Sequence, residues 1–267
     1  MLRYISVFAI IIFFTSFLSF SEANVGLTVF DDNYVVEKFV SGLDFPTTID
    51  FVGNDLLVLE KMTGKVIRIN ENGEIDKEPV LVVPAAQDAE GGLLGIATTP
   101  NHVFLYFTEN RSTYYTHVQP KNTVYQYDWD GKKLTNPVLI KELSADSPIH
   151  NGGVFAKGKN GEIYFVMGDD QKDTIFQNIP YVPTDNETGS IFKIHTDDNN
   201  RVELFAVGIR NSFGLAVDPI TGYLWQTENG VQIYDEINLV KNGFNSGWKS
   251  IMGPADRVDA WLDTSGT

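Results

Sequence analysis

The sequence predicts an all-β propeller on three observations. Short β-rich runs alternate with Gly, Asn, Asp and Pro; no segment has the length and periodicity of a long helix; and the chain repeats loosely every roughly 45 to 60 residues, the interval of a blade. Strands are expected over residues 47–52, 56–60, 65–70, 103–108, 123–129, 162–167, 191–195 and 222–226. Their lengths suit blade strands rather than helices.

The repeat justifies the elements in turn. A first unit covers residues 42–70, where the strand around Ile49-Asp50-Phe51 leads through Leu56-Leu57-Val58-Leu59-Glu60 to Lys65-Val66-Ile67-Arg68-Ile69. A second opens at Gly92-Leu93-Leu94-Gly95, a third at Asn151-Gly152-Gly153 and a fourth at Phe213-Gly214-Leu215. One small twisted sheet cannot bury both of its faces, so such units pack radially around a channel. Four blades are legible, and the sequence stops at Thr267, soon after Trp248, with no fifth or sixth repeat. The expectation is a propeller domain over residues 35–267 that is incomplete at its C-terminal end, the alternative being a compact four-bladed ring. Residues 24–34 are expected to be an N-terminal extension.

Composition narrows the function. With 43% hydrophobic and 21% charged residues, the chain is neither a disordered polyanion nor a membrane bundle. Its formal charge of -15 repels nucleic-acid phosphates and anionic headgroups, which removes nucleic acid and membrane surfaces from the expected partners. Neutral small molecules and divalent cations suit it better. Cysteine is absent, so disulfides, thiolate metal sites and a cysteine nucleophile are excluded. Arg3, an apolar run over residues 4–20 and Ser21-Glu22-Ala23 form a signal peptide, with cleavage expected after Ala23 and the folded part outside the cytoplasm. An uncleaved membrane anchor is the rival reading.

The motifs that carry chemistry are weak singly and informative in order. Glu90-Gly91-Gly92-Leu93-Leu94-Gly95 precedes His150-Asn151-Gly152-Gly153, Gly168-Asp169 and Gly208-Ile209-Arg210-Asn211-Ser212-Phe213-Gly214. Thr227-Glu228-Asn229-Gly230, Asp235-Glu236-Ile237-Asn238 and Gly243-Phe244-Asn245-Ser246-Gly247-Trp248 follow. In this series the chain resembles the soluble quinoprotein aldose (glucose/sorbosone) dehydrogenases over about residues 40 to 250. That family has six-bladed propellers that oxidise sugars at the anomeric carbon with pyrroloquinoline quinone and calcium.

The resemblance implies roles residue by residue. His150 matches the general base that takes the proton of the anomeric hydroxyl, a task suited to an imidazole. Arg210 and Asn211 match the pair that faces the quinone, where a guanidinium stabilises arriving charge. Asp169 falls among the cofactor-facing polar residues, while Glu90 and Asp170 fall where the family meets the sugar. Calcium is expected on the carbonyls of Gly230 and Val231, with Asp235 and Glu236 behind them; Val231 stands where many members have Pro. Cationic groups that hold the cofactor's carboxylates in the family come from blades beyond Trp248. The implied partners are an aldose and an external electron acceptor, and a homodimer stays open. Rival readings are a calcium-dependent sugar-lactone hydrolase and a non-catalytic propeller that binds a partner on its face. His102, His117 and His195 have no such context and are read as structural.

Overall fold

The computed structural model describes residues 29–171, 187–249 and 251–253. The proposed signal segment, residues 1–23, lies outside them. The chain divides into two units, Met1–Phe39 and Val40–Thr267, and every described strand lies in the second. Among the described residues there are sixteen strands and no helix.

Four antiparallel sheets follow one another along the chain. The first blade is β1(Pro46–Val52), β2(Asp55–Glu60), β3(Lys65–Ile69) and β4(Leu81–Val82). The second is β5(Leu93–Thr98), β6(His102–Glu109), β7(Lys121–Trp129) and β8(Leu134–Ser144). The third is β9(Phe155–Lys157), β10(Ile163–Met167), β11(Ser190–His195) and β12(Arg201–Val207). The fourth is β13(Gly214–Val217), β14(Leu224–Glu228) and β15(Glu236–Val240). The short β16(Phe244–Asn245) then leaves the fourth blade and pairs in parallel with β12, through Ala206 with Phe244 and Val207 with Asn245.

Period-two alternation explains how one strand serves two interfaces. On β6, Val103, Leu105 and Phe107 pack toward Leu57, Leu59 and Val66 of the first blade, while Phe104 and Tyr106 pack toward Phe155, Ile163 and Phe165 of the third. On β10, Phe165 and Met167 face the second blade, and Tyr164 and Val166 face Leu224 and Val240 of the fourth. Both faces are covered, so these strands read as continuous apolar runs. Full burial of one side chain such as Phe165 contributes about 1.5–3 kcal/mol.

The two ends of the stack differ from its middle. On the outward side of the first blade Ile49 and Phe51 are exposed, and on that of the fourth Trp225 and Ile237 are exposed. The strands not anticipated from sequence were the outer β4, β8, β12 and β15, the blade-opening β5, β9 and β13, and the short β16. β8 carries Pro137 and is mostly exposed, as a sheet edge tolerates, so it lacks the apolar signature of a central strand.

Candidate active site

The chemistry-bearing blocks meet at one end of the blades. Glu90 lies just before β5, His150 before β9, Asp169 after β10, Arg210 and Asn211 between β12 and β13, Glu228 at the end of β14, and Trp248 after β16. The innermost strands line a channel whose cavity of about 290 Å³ is bounded by Thr47, Thr48, Lys61, Glu90, Leu94, Gly152, Val154 and Phe213, among others.

Glycines permit this convergence. A Cβ on Gly168 would stand 2.4 Å from the His150 carbonyl oxygen, and one on Gly152 would stand 2.5 Å from that of Val166. Any side chain there would push the His150 loop off β10. His150 itself has a left-handed backbone, φ 63°, a conformation that costs of order 1–3 kcal/mol and concentrates at functional sites. Asn151 anchors the loop: its carbonyl accepts the Tyr106 hydroxyl at 2.7 Å and its Oδ1 accepts Asn122 Nδ2 at 2.8 Å. Burial, reinforced by the Asp170 charge, pushes the Tyr106 phenol well above its ordinary value and keeps it a donor.

His150 is held from both ends. Its backbone N–H donates to Glu90 Oε2 at 2.5 Å, and its Nδ1 lies 2.6 Å from Asp169 Oδ1. Asp169 Oδ1 also accepts the Gln171 N–H at 2.9 Å, and Oδ2 accepts the indole Nε1–H of Trp248 at 2.6 Å. A carboxylate among such donors can only accept, so the shared proton belongs to Nδ1 and the Nε2 lone pair is left as the basic one.

Arg210 is tied to the same cluster. Its carbonyl accepts the Asp169 N–H at 2.8 Å and its guanidinium sits 5.3 Å from the centre of the Trp248 ring, within cation–π range. Nη1 donates to the carbonyls of Asn229 at 3.0 Å and Gly230 at 3.2 Å. Arg210 Nε and Asn211 Oδ1 are buried and have no hydrogen-bond partner among the described residues. Buried polar atoms are normally paired, so two orphans on adjacent residues mark a place for a polar ligand.

Glu228 is the hub that sequence reasoning missed. It accepts the Arg210 N–H at 2.6 Å and is also bonded to the Ser246 hydroxyl, while burial pushes its carboxyl up to about 7 against the lowering effect of those bonds. Leu224-Trp225-Gln226-Thr227-Glu228 shows no apolar-polar alternation that would mark Glu228 as buried, although alternate residues of β14 are buried. Trp248 was read as the end of the fourth unit, and the rule that a buried indole seeks an acceptor is what pointed further.

The remaining expected residues are placed as follows. Asp170, 2% exposed, accepts Ser144 Oγ at 2.8 Å and the N–H groups of Asp146 and Ser147 at 3.1 and 2.8 Å, so it organises that loop. Asp235 Oδ1 accepts the Gly230 N–H at 2.9 Å; Glu236 accepts the Gly253 N–H at 2.5 Å and Asn238 Nδ2 at 3.2 Å. No cluster of three or more His, Cys, Asp or Glu is present among the described residues. The Gly230 and Val231 carbonyls are nonetheless hard oxygen donors of the kind calcium takes, and a carbonyl shared with Arg210 keeps a second lone pair. Val231 is exposed. His102 and His195 pair with Asp128 and Glu203 on their own sheets, as structural histidines do.

A family profile described as Glucose / Sorbosone dehydrogenase matches residues 43–256. The chain is 29% identical to quinoprotein glucose dehydrogenase B of Acinetobacter calcoaceticus, over 84% of this chain and 54% of that protein. It is 24% identical to the aldose sugar dehydrogenase YliI of Escherichia coli (strain K12), over 80% of this chain and 61% of that one. Among solved structures, the pyrroloquinoline-quinone-bound aldose sugar dehydrogenase of Streptomyces coelicolor superposes with a TM-score of 0.67 at 26% identity, covering 83% of this chain and 67% of that one. The chain spans about half the length of the curated relatives it matches.

Proposed function

The chain belongs to the glucose/sorbosone dehydrogenase family, and from that premise we propose that it oxidises aldose sugars at the anomeric carbon to lactones, with pyrroloquinoline quinone and calcium as cofactors. The observation that carries the reading is the joining of an imidazole base and a guanidinium in one buried cluster, with orphaned polar atoms on Arg210 and Asn211. The Arg210 Nε–H, a donor, fits the carbonyl and carboxylate oxygens of a quinone, while Asn211 Oδ1, an acceptor, fits an N–H or O–H of the ligand or substrate. When bound, the quinone supplies a hydride-accepting carbonyl carbon. His150 Nε2 takes the hydroxyl proton while Asp169 holds the ring and stabilises the imidazolium that forms. Arg210 presents positive charge where negative charge gathers, and Asn211 orients the acceptor by hydrogen bonding. The carbonyls of Gly230 and Val231, backed by Asp235 and Glu236, would hold calcium. Glu90 would meet the sugar, a reading supported by its lining the cavity and accepting the His150 N–H. The protein acts outside the cytoplasm, and an external acceptor reoxidises it.

The test is a dye-reduction assay with added calcium and quinone across a panel of aldoses. His150→Gln is expected to lower turnover about 10²–10⁴-fold while quinone affinity stays near the parental value. Parental turnover in that variant would remove His150 from the mechanism. Turnover of lactones instead of aldoses would favour the hydrolase.

A further inference from the structure

Trp248 stands between the two halves of the cluster, and its position calls for a function. Its Nε1–H is 2.6 Å from Asp169 Oδ2, on the carboxylate whose other oxygen meets His150 Nδ1 at 2.6 Å. Its ring lies 5.3 Å from the Arg210 guanidinium. We propose that Trp248 is a positioning residue, which locks the Asp169 carboxylate in rotation so that His150 is held as the single Nδ1–H tautomer with Nε2 open. The proposal rests on reading His150 as the base.

The chemistry supports one direction of action. Asp169 is buried, and its Oδ1 already accepts from His150 and from the Gln171 N–H. Among the described residues the indole bond at Oδ2 alone fixes the carboxylate from the opposite side, so Oδ1 is kept turned toward the ring nitrogen as an acceptor. An indole N–H donates and never accepts, so it cannot supply a competing arrangement. The cation over the indole face draws density from the ring and strengthens the N–H as a donor. The charged groups around His150 are Glu90 on its backbone N–H, Asp169 on its ring and Asp170 behind, with Arg210 beyond the indole. The three carboxylates are acceptors and cannot replace the indole donor, and the Arg210 guanidinium, across the indole ring from Asp169, directs Nη1 to the Asn229 and Gly230 carbonyls.

The test uses the full chain with ¹⁵N-labelled histidine and tryptophan, compared with Trp248→Phe, which keeps an aromatic face for Arg210 and removes the donor. In the parent, one of the four indole N–H signals should be shifted far downfield and exchange slowly with solvent, and the His150 ring nitrogens should report one Nδ1–H tautomer. In Trp248→Phe the downfield indole signal should vanish and the ring should report a mixture of tautomers. With quinone and sugar added, kcat should fall about tenfold with KM and quinone affinity nearly unchanged. A single Nδ1–H tautomer in the variant would overturn the proposal. Should the variant not fold, the parent decides: a Trp248 indole signal at an ordinary shift with fast exchange would equally overturn it. A parent with the locked tautomer but no sugar oxidation would sink the dehydrogenase reading and leave the positioning role standing.

Discussion

The His150 end of the site and the Arg210 end are satisfied to different degrees. Around Asp169 both carboxylate oxygens are engaged, by the His150 ring, the Gln171 N–H and the Trp248 indole. Around Arg210, Nη1 binds two carbonyls, yet Nε and the adjacent Asn211 Oδ1 are buried with no partner among the described residues. The contrast teaches which half is finished by the chain alone. The His150 end has its hydrogen bonds in place before anything binds; the cation end keeps unspent hydrogen-bonding capacity, at a cost in stability.

The strongest way to break the comparison is Asp169→Asn. The amide NH₂ would point at Nδ1, force the proton to Nε2 and leave no free base, so turnover should drop about 10²–10⁴-fold with quinone affinity little changed. Steady-state rates and quinone titration of one variant check both halves at once. Arg210→Lys should do the reverse. It keeps a positive charge but removes the Nε–H and the planar fork, and the loss of a charged hydrogen bond worth about 1.5–3 kcal/mol predicts roughly 10–100-fold weaker quinone binding. An unchanged quinone affinity would mean that the orphaned Nε is not a cofactor contact.

Calcium sharpens the same end of the site. If the Gly230-Val231 turn holds the ion, calcium at 100 times its Kd should stabilise the chelator-treated protein by about 2.7 kcal/mol. A melting curve that calcium leaves in place would remove the ion from this turn. The smallest effect is expected far from the site, where His195 Nε2 lies 2.7 Å from Glu203 Oε2 across β11 and β12. The hydrogen bond from His195 lowers the Glu203 carboxyl below its ordinary value of 4.5. A lowered carboxylate stabilises the fold above that ordinary value, and the contribution is lost as pH falls through the lowered one. Because Glu203 is largely solvated, Glu203→Gln should shift the melting temperature by about a degree or less at neutral pH and flatten its fall in acid. A steeper acid limb in the variant would reverse the sign.

The fold was most legible in central strands with long, unbroken apolar runs; β5, buried but interrupted by Gly95, reads in the sequence as the opening of a unit and not as a strand. Leu56-Leu57-Val58-Leu59 and Ile163-Tyr164-Phe165-Val166-Met167 announce central strands by apolar continuity, and both are strands of blades. β8 and β12 were harder, because solvated outer strands spend their residues on polarity, and in Arg201–Val207 only Ala206 is buried. In the site, the roles expected of His150, Arg210 and Asn211 come from the order of the blocks that resemble the family, and the structure links His150 and Arg210 through Asp169. Asp170 was expected at the sugar, but its φ of 55° reverses the chain locally and delivers the carboxylate to Ser144 and Ser147. That dihedral has no signature in Gly168-Asp169-Asp170. The bond from Trp248 to Asp169 spans 79 positions, and a contact so distant is invisible to motif spacing.

The return of β16 to β12 brings Trp248 back across an entire blade. On a ribosome adding about 5–20 residues per second, those 79 positions separate Asp169 from its indole by roughly 4–16 s. During that interval His150 and Asp169 have already been synthesised, while the residue that clamps them has not. Until the chain has built the fourth blade and doubled back, the Asp169 carboxylate therefore lacks its indole donor.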